Sequence, residues 1–148
     1  MRKLILLIIA SILILTTCGN DPEPINFGED NCAHCKMMIT DEKYGAELVT
    51  DKGKIYKYDS VECLLEQLHK QTFREEQIAS IWVIDFSNPR TLIDARSAFY
   101  TQNDEFRSPM GLNVQTFQTE DNFNKFFSEN GGEKLNWSEL MKFAGTMH

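Results

Sequence analysis

The sequence predicts an α+β domain assembled from two small strand–strand–helix units. Three observations lead there. Two short strand-like stretches joined by a turn run into a capped amphipathic helix between residues 45 and 68. The same order recurs at an offset of 59 residues. The part of the chain that follows the leader is long enough to bury one hydrophobic core.

Each element has its own local reason. Gly45–Thr50 and Lys54–Tyr58 alternate apolar and polar residues or carry β-branched ones, and Asp51-Lys52-Gly53 supplies the turn of a hairpin. Asp59 or Ser60 then caps a helix, with Glu62 placed for a capping box and Asp59 read most simply as a cap. Val61, Leu64, Leu65 and Leu68 fall at i, i+3, i+4 and i+7, which is one apolar helical face. Ser80–Phe86 is a strand expected to be largely buried, with Trp82 and Phe86 as core residues.

Strand-like residues return from Thr91 to Tyr100 and from Leu112 to Phe117. Thr119 is an N-cap for a helix whose face carries Phe123, Phe126 and Phe127, and Asn130-Gly131-Gly132 ends it. The offset of 59 sets Tyr58 on Phe117, Ser60 on Thr119, Leu64 on Phe123 and Leu68 on Phe127. A last helix starts near Asn136 or Ser138 and runs to about Phe143.

The N-terminus sets the compartment. Arg2 and Lys3 precede an apolar run from Leu4 to Leu15, too short to span a membrane and suited to a secretory signal. Leu15-Thr16-Thr17-Cys18 resembles the bacterial lipobox, which implies cleavage before Cys18 and its acylation. The expected organisation is a signal peptide over 1–17 and a lipidated, acidic, proline-bearing tether over 18–30 without a packing pattern of its own. One domain over 31–148 follows, in two repeats at about 31–90 and 91–148. The chain is thereby expected in the cell envelope, outside the cytoplasm, held to a membrane through the lipid on Cys18. Loss of the leader takes the formal charge from −7 to −9, a surface that nucleic-acid phosphates would repel.

Chemistry is concentrated in Cys32-Ala33-His34-Cys35-Lys36-Met37-Met38. Soft thiolates and thioethers at this density favour Cu(I) over hard cations. A disulfide or redox pair, and zinc, remain open for Cys32 and Cys35, although zinc would need two further Cys or His ligands at a matching distance. His34 can ligate, orient or stand uncommitted, and Met37 and Met38 are expected to divide between core and metal because successive side chains alternate. Met110, between Pro109 and Gly111, sits in a loop and is the natural further sulfur ligand. Cys63, among Val61, Leu64 and Leu65, reads as a buried core cysteine.

Lipobox cysteine, acidic tether, Cys-x-x-Cys-x-Met, Tyr58-Asp59 at the helix entry and Ser108-Pro109-Met110-Gly111 together resemble the NosL family. The resemblance spans roughly Cys18 to Phe127. It implies a duplicated ββαβ fold similar to a domain of an organomercurial lyase, Cu(I) as cargo, and no enzymatic activity. It also implies nitrous oxide reductase and its assembly machinery as partners. By position Cys35, Met37 and Met110 inherit the copper role, Cys32 next, with Met38 as an alternative ligand. The family motif has glycine where this chain has Lys36. A thiol–disulfide redox lipoprotein and a zinc- or disulfide-stapled structural lipoprotein are the competing readings.

Overall fold

The computed structural model describes residues 20–143. The expected signal peptide and the lipidation site at Cys18 lie outside the described residues. Among those described, no helix is long and apolar enough to cross a membrane.

Two antiparallel sheets carry the fold. The first half runs β1 (Ala46–Thr50), β2 (Ile55–Tyr58), α1 (Val61–His69) and β3 (Ile78–Ile84), followed by β4 (Leu92–Asp94). Its sheet has the order β2-β1-β3-β4. The second half runs β5 (Phe99–Gln102), β6 (Val114–Phe117), α2 (Glu120–Asn130) and β7 (Glu133–Leu135), with sheet order β6-β5-β7, and α3 (Trp137–Phe143) closes the chain. Each half is therefore a ββαβ unit whose first strand lies between its second and third. Tyr58 and Phe117 both end a second strand, and Ser60 and Thr119 both sit at a helix N-cap. The fold class read from the sequence is the fold observed.

The halves share one apolar core, which runs from Ile39 and Leu48 through Leu64, Leu65 and Ile84 to Tyr100 and Leu140. Phe86 joins them at an aromatic corner. Its ring meets Tyr44, Phe106, Phe117 and Phe126 at centroid distances of 5.6 to 6.0 Å, all steeply inclined. Such edge-to-face sets add modestly to the area they bury. Gly132 allows β7 to follow α2 at once: its φ is +116°, and a Cβ there would stand 2.7 Å from the Gln102 carbonyl oxygen.

Several expectations change. Residues 20–30 do not hang free as a tether, because Ile25 is buried in the core and the backbone is tied down on both sides. Glu23 N–H donates to Glu47 Oε1 at 2.9 Å, and Lys57 Nζ reaches the Pro24 carbonyl and Asp30 Oδ2. Thr91–Tyr100 divides into β4 and β5, one in each sheet. Trp82 is only half-buried, its indole N–H donating to Ser80 Oγ, and β7 was not expected at all. The capping box at α1 does not form. Ser60 occupies the N-cap without a side-chain capping bond, while Glu62 is drawn across to the hydroxyl of Ser108 in the second half. At α2 the expected cap holds, with Thr119 Oγ1 accepting from Asn122 N–H.

Candidate metal centre

The segment from Asn31 to Ile39 folds back on itself. Asn31 and Met38 form an isolated antiparallel bridge, and Cys32 N–H donates to the Met37 carbonyl at 2.8 Å. Lys36 N–H returns to the Cys32 carbonyl, which requires a left-handed residue at Lys36, where φ is +68°. The loop is docked on two elements. Ala33 N–H donates to the Lys57 carbonyl on edge strand β2, and His34 Nε2 stands 2.8 Å from Glu66 Oε2 on α1. His34 is thus committed to the helix as an orienting contact.

This docking brings the loop sulfurs to the start of α1. Strand β2 ends at Tyr58, the chain turns through Asp59 and Ser60, and Cys63 lies in the first helical turn. The Sγ atoms of Cys32, Cys35 and Cys63 and a carboxylate oxygen of Asp59 all lie within 4.8 Å of one another. Cys32, Cys63 and Asp59 are buried, whereas Cys35 is only partly covered and forms the open side. All three thiols are free. The Cys35 thiol donates to Asp59 Oδ2 at 3.4 Å.

The electrostatics separate the three sulfurs. Hydrogen bonding from Cys63 holds the Cys32 thiol down, to about 5, which favours its thiolate over those of its neighbours. Burial pushes Cys35 up to about 11, with the adjacent charge of Cys32 acting in the same direction. Cys63 is pushed far up by the bond it gives Cys32 and by burial. Of the three, Cys32 is the sulfur most disposed to the thiolate form that binds a metal.

The methionines are the more exposed sulfur side chains. Met37 is 49% exposed, Met38 52% and Met110 39%, the exposed large apolar side chains among the described residues. Neither Met37 nor Met38 is a core residue: Cys32 and Ile39 fill the inward positions of the loop, and both methionines are about half exposed. Met110 belongs to a loop that is anchored beside the thiols. Ser108 donates to Glu62, the neighbour of Cys63, while Ser108 and Asn113 exchange bonds at 3.0 and 2.8 Å.

The structure brings Cys32 and Cys35 together as expected and adds two residues that the sequence reading placed elsewhere. Cys63 is buried, as expected of a core cysteine, yet its thiol joins the group. Asp59 is no helix cap; it faces the thiols. A signal was available: Asp59 and Cys63 are four residues apart across a helix start, which puts them on one face. Cys63 is one of the two further Cys or His ligands that zinc would need, and Asp59 adds a carboxylate in place of the other.

Comparisons with known proteins agree with the architecture. The NosL family profile matches residues 24–143. A copper-binding lipoprotein, NosL of Stutzerimonas stutzeri, is 26% identical over 141 residues, covering 85% of this chain and 73% of its own length. The crystal structure of the copper chaperone NosL from Shewanella denitrificans superposes with a TM-score of 0.70 at 22% identity, over 82% of this chain and 96% of that one. The fold is shared with that structure, and the profile match runs through both halves. This chain belongs to the NosL family.

Proposed function

We propose that this protein is a Cu(I) metallochaperone of the cell envelope, anchored through a lipid on Cys18, that delivers copper for assembly of nitrous oxide reductase. One observation carries the reading: a group of soft sulfur donors, closed on the protein side, opens to solvent at a single partly covered thiol, Cys35. Cys35 with Cys32, Met37 and Met110 supplies the ligands, and Met38 can replace Met37. Thiolate and thioether sulfur suit Cu(I), and a site at a loop edge lets an acceptor's ligand attack before the donor's leaves. Copper stays Cu(I) through the exchange. Each metal–sulfur bond to the acceptor replaces one to the chaperone, and the freed thiolates take protons from water. Binding in turn releases thiol protons, so affinity rises with pH. The copper-binding and chaperone roles named for the two relatives, and the envelope location implied by "lipoprotein", support this reading.

The test is a titration of the reduced chain with Cu(I) against a chromogenic chelator, comparing wild type with Cys35→Ser and Met110→Ala. Both substitutions are expected to weaken binding. If neither does, the site as drawn is wrong. Transfer from the loaded chain to copper-free nitrous oxide reductase, scored by recovered activity, tests the acceptor. A second reading is favoured by the donor set itself, since three thiols and a carboxylate also match a closed structural zinc site. In that case the metal would stay with the protein when the acceptor is offered.

A further inference from the structure

Resting on the chaperone reading, we infer that Cys63 is itself a ligand to the cargo, and that Cys32, Cys35 and Cys63 form a three-thiol holding site. This set takes the place of Met37 and Met110 as the holding ligands of the reading above, and the exposed thioethers then serve entry and exit. Four features of the structure point there.

The first is distance. Three sulfurs around one soft ion, with bonds of about 2.3 Å, stand about 4 Å apart in a trigonal set. The three Sγ atoms here already lie within 4.8 Å of one another, so small side-chain rotations close the set on an ion without moving the backbone. The second is the direction of the Cys63 thiol. A cysteine serving as core filler behaves as a small apolar group, yet this one turns its thiol to Cys32 and Asp59, both polar. The third is rigidity. Cys63 is fixed by the first turn of α1, and the loop bearing the other two sulfurs is pinned to α1 by His34–Glu66 and to β2 by Ala33. The three sulfurs therefore sit on elements that are bound to one another. The fourth is exposure. Cys32 and Cys63 are buried, whereas Met37, Met38 and Met110 are 49%, 52% and 39% exposed, so the thiols are the better shielded sulfurs.

Binding by this set moves no electrons: Cu(I) enters, up to three sulfur–metal bonds form, and the displaced thiol protons pass to solvent.

The experiment uses the reduced full-length chain and Cu(I) as the probe, with affinity from chelator competition and sulfur coordination from X-ray absorption. In wild type a Cu–S coordination of three is expected. Cys63→Ala should lower it to two and weaken binding by about 100-fold, the upper end of what even an outer partner of a metal site is worth. Unchanged affinity and coordination in a folded Cys63→Ala chain would overturn the inference. Should that variant fail to fold, a Met37→Ala/Met38→Ala/Met110→Ala chain decides, because those exposed residues can be truncated without opening the core. Coordination that stays at three supports the thiol set, and a fall to two rejects it. Cys35→Ser separates the two levels of argument. If it binds Cu(I) as tightly as wild type, the chaperone site itself fails, whereas loss in Cys35→Ser with none in Cys63→Ala sinks only the role of Cys63.

Discussion

Replacing Ser108 by alanine should reveal how the two halves hold the site between them. The Ser108 hydroxyl donates to Glu62 on α1 and accepts from Asn113 N–H at 2.8 Å. Ser108, Glu62 and Asn113 are all buried, at 8%, 1% and 1% exposure, so water cannot replace what is lost. Alanine removes one bond to an acidic side chain and strands a buried backbone donor. A typical net bond contributes about 1 kcal/mol and an unsatisfied buried group costs about 1–3 kcal/mol, giving a loss of about 3 kcal/mol. For a domain of this size that is a fall in Tm of roughly 10 °C. Thermal unfolding of the metal-free protein followed by circular dichroism measures it. The Cu(I) affinity should also fall, because Glu62 is bonded to the Met110 loop on one side and is the chain neighbour of Cys63 on the other. A Tm within about 2 °C of wild type would refute the reasoning, since it would mean that the Ser108 contact is not what joins α1 to the second half.

Two further substitutions test single features. Lys36→Gly places the family's glycine at a position where φ is +68°; left-handed geometry costs a non-glycine residue roughly 1 kcal/mol. The Lys36 side chain recovers part of this through its bond to the Ala33 carbonyl. A gain of about 0.5 kcal/mol with unchanged Cu(I) affinity is expected in urea unfolding, and a loss would show that the lysine contact outweighs the strain. Glu47, buried in β1, is pushed up by that burial to about 7, above its unfolded value of 4.5. A raised acid stabilises the fold while protonated, so its contribution is complete below the unfolded value and is lost as pH rises through about 7. Wild type should therefore lose about 2 kcal/mol between pH 5 and pH 8 that Glu47→Gln does not, allowing for water reaching the edge of the covering segment. Equal changes in the urea midpoint for both chains would remove Glu47 from the account.

Local patterns that repeat along the chain were legible, and contacts made across it were not. The first hairpin, the apolar face of α1 and the cap of α2 follow from periodicity and from Thr119, and the observed elements match them to within a residue or two. Strand β7 could not be read, since Glu133-Lys134-Leu135 is short and polar and is a strand only because β5 offers it an edge. Residues 20–30 looked like a tether by composition. A single apolar residue, Ile25, and a lysine on β2 are enough to hold them down. Cys63 is buried as its leucine neighbours suggest, but nothing local tells that the helix start faces a loop that begins some thirty residues earlier. Density of sulfur found Cys32 and Cys35. Tertiary docking was needed to find their partners.

The duplication shows why the group of thiols is on one half only. At the offset of 59, Asp59 corresponds to Gln118 and Cys63 to Asn122. In the second half the helix start is conventional: Thr119 caps α2, and Asn122 supplies the backbone N–H and sends its amide to Ser87. In the first half Ser60 makes no cap bond, Asp59 turns to Cys35, and Glu62 leaves the helix for Ser108. A missing cap costs about 1 kcal/mol, and a buried acid beside a buried thiol adds to the cost. A sequence selected for stability alone would keep the arrangement of the second half at both places. The two helix starts occupy equivalent positions in equivalent units, so the difference between them is not imposed by the fold. It lies in the side chains, and what those side chains gain in return for the lost cap is a nest of three sulfurs and a carboxylate.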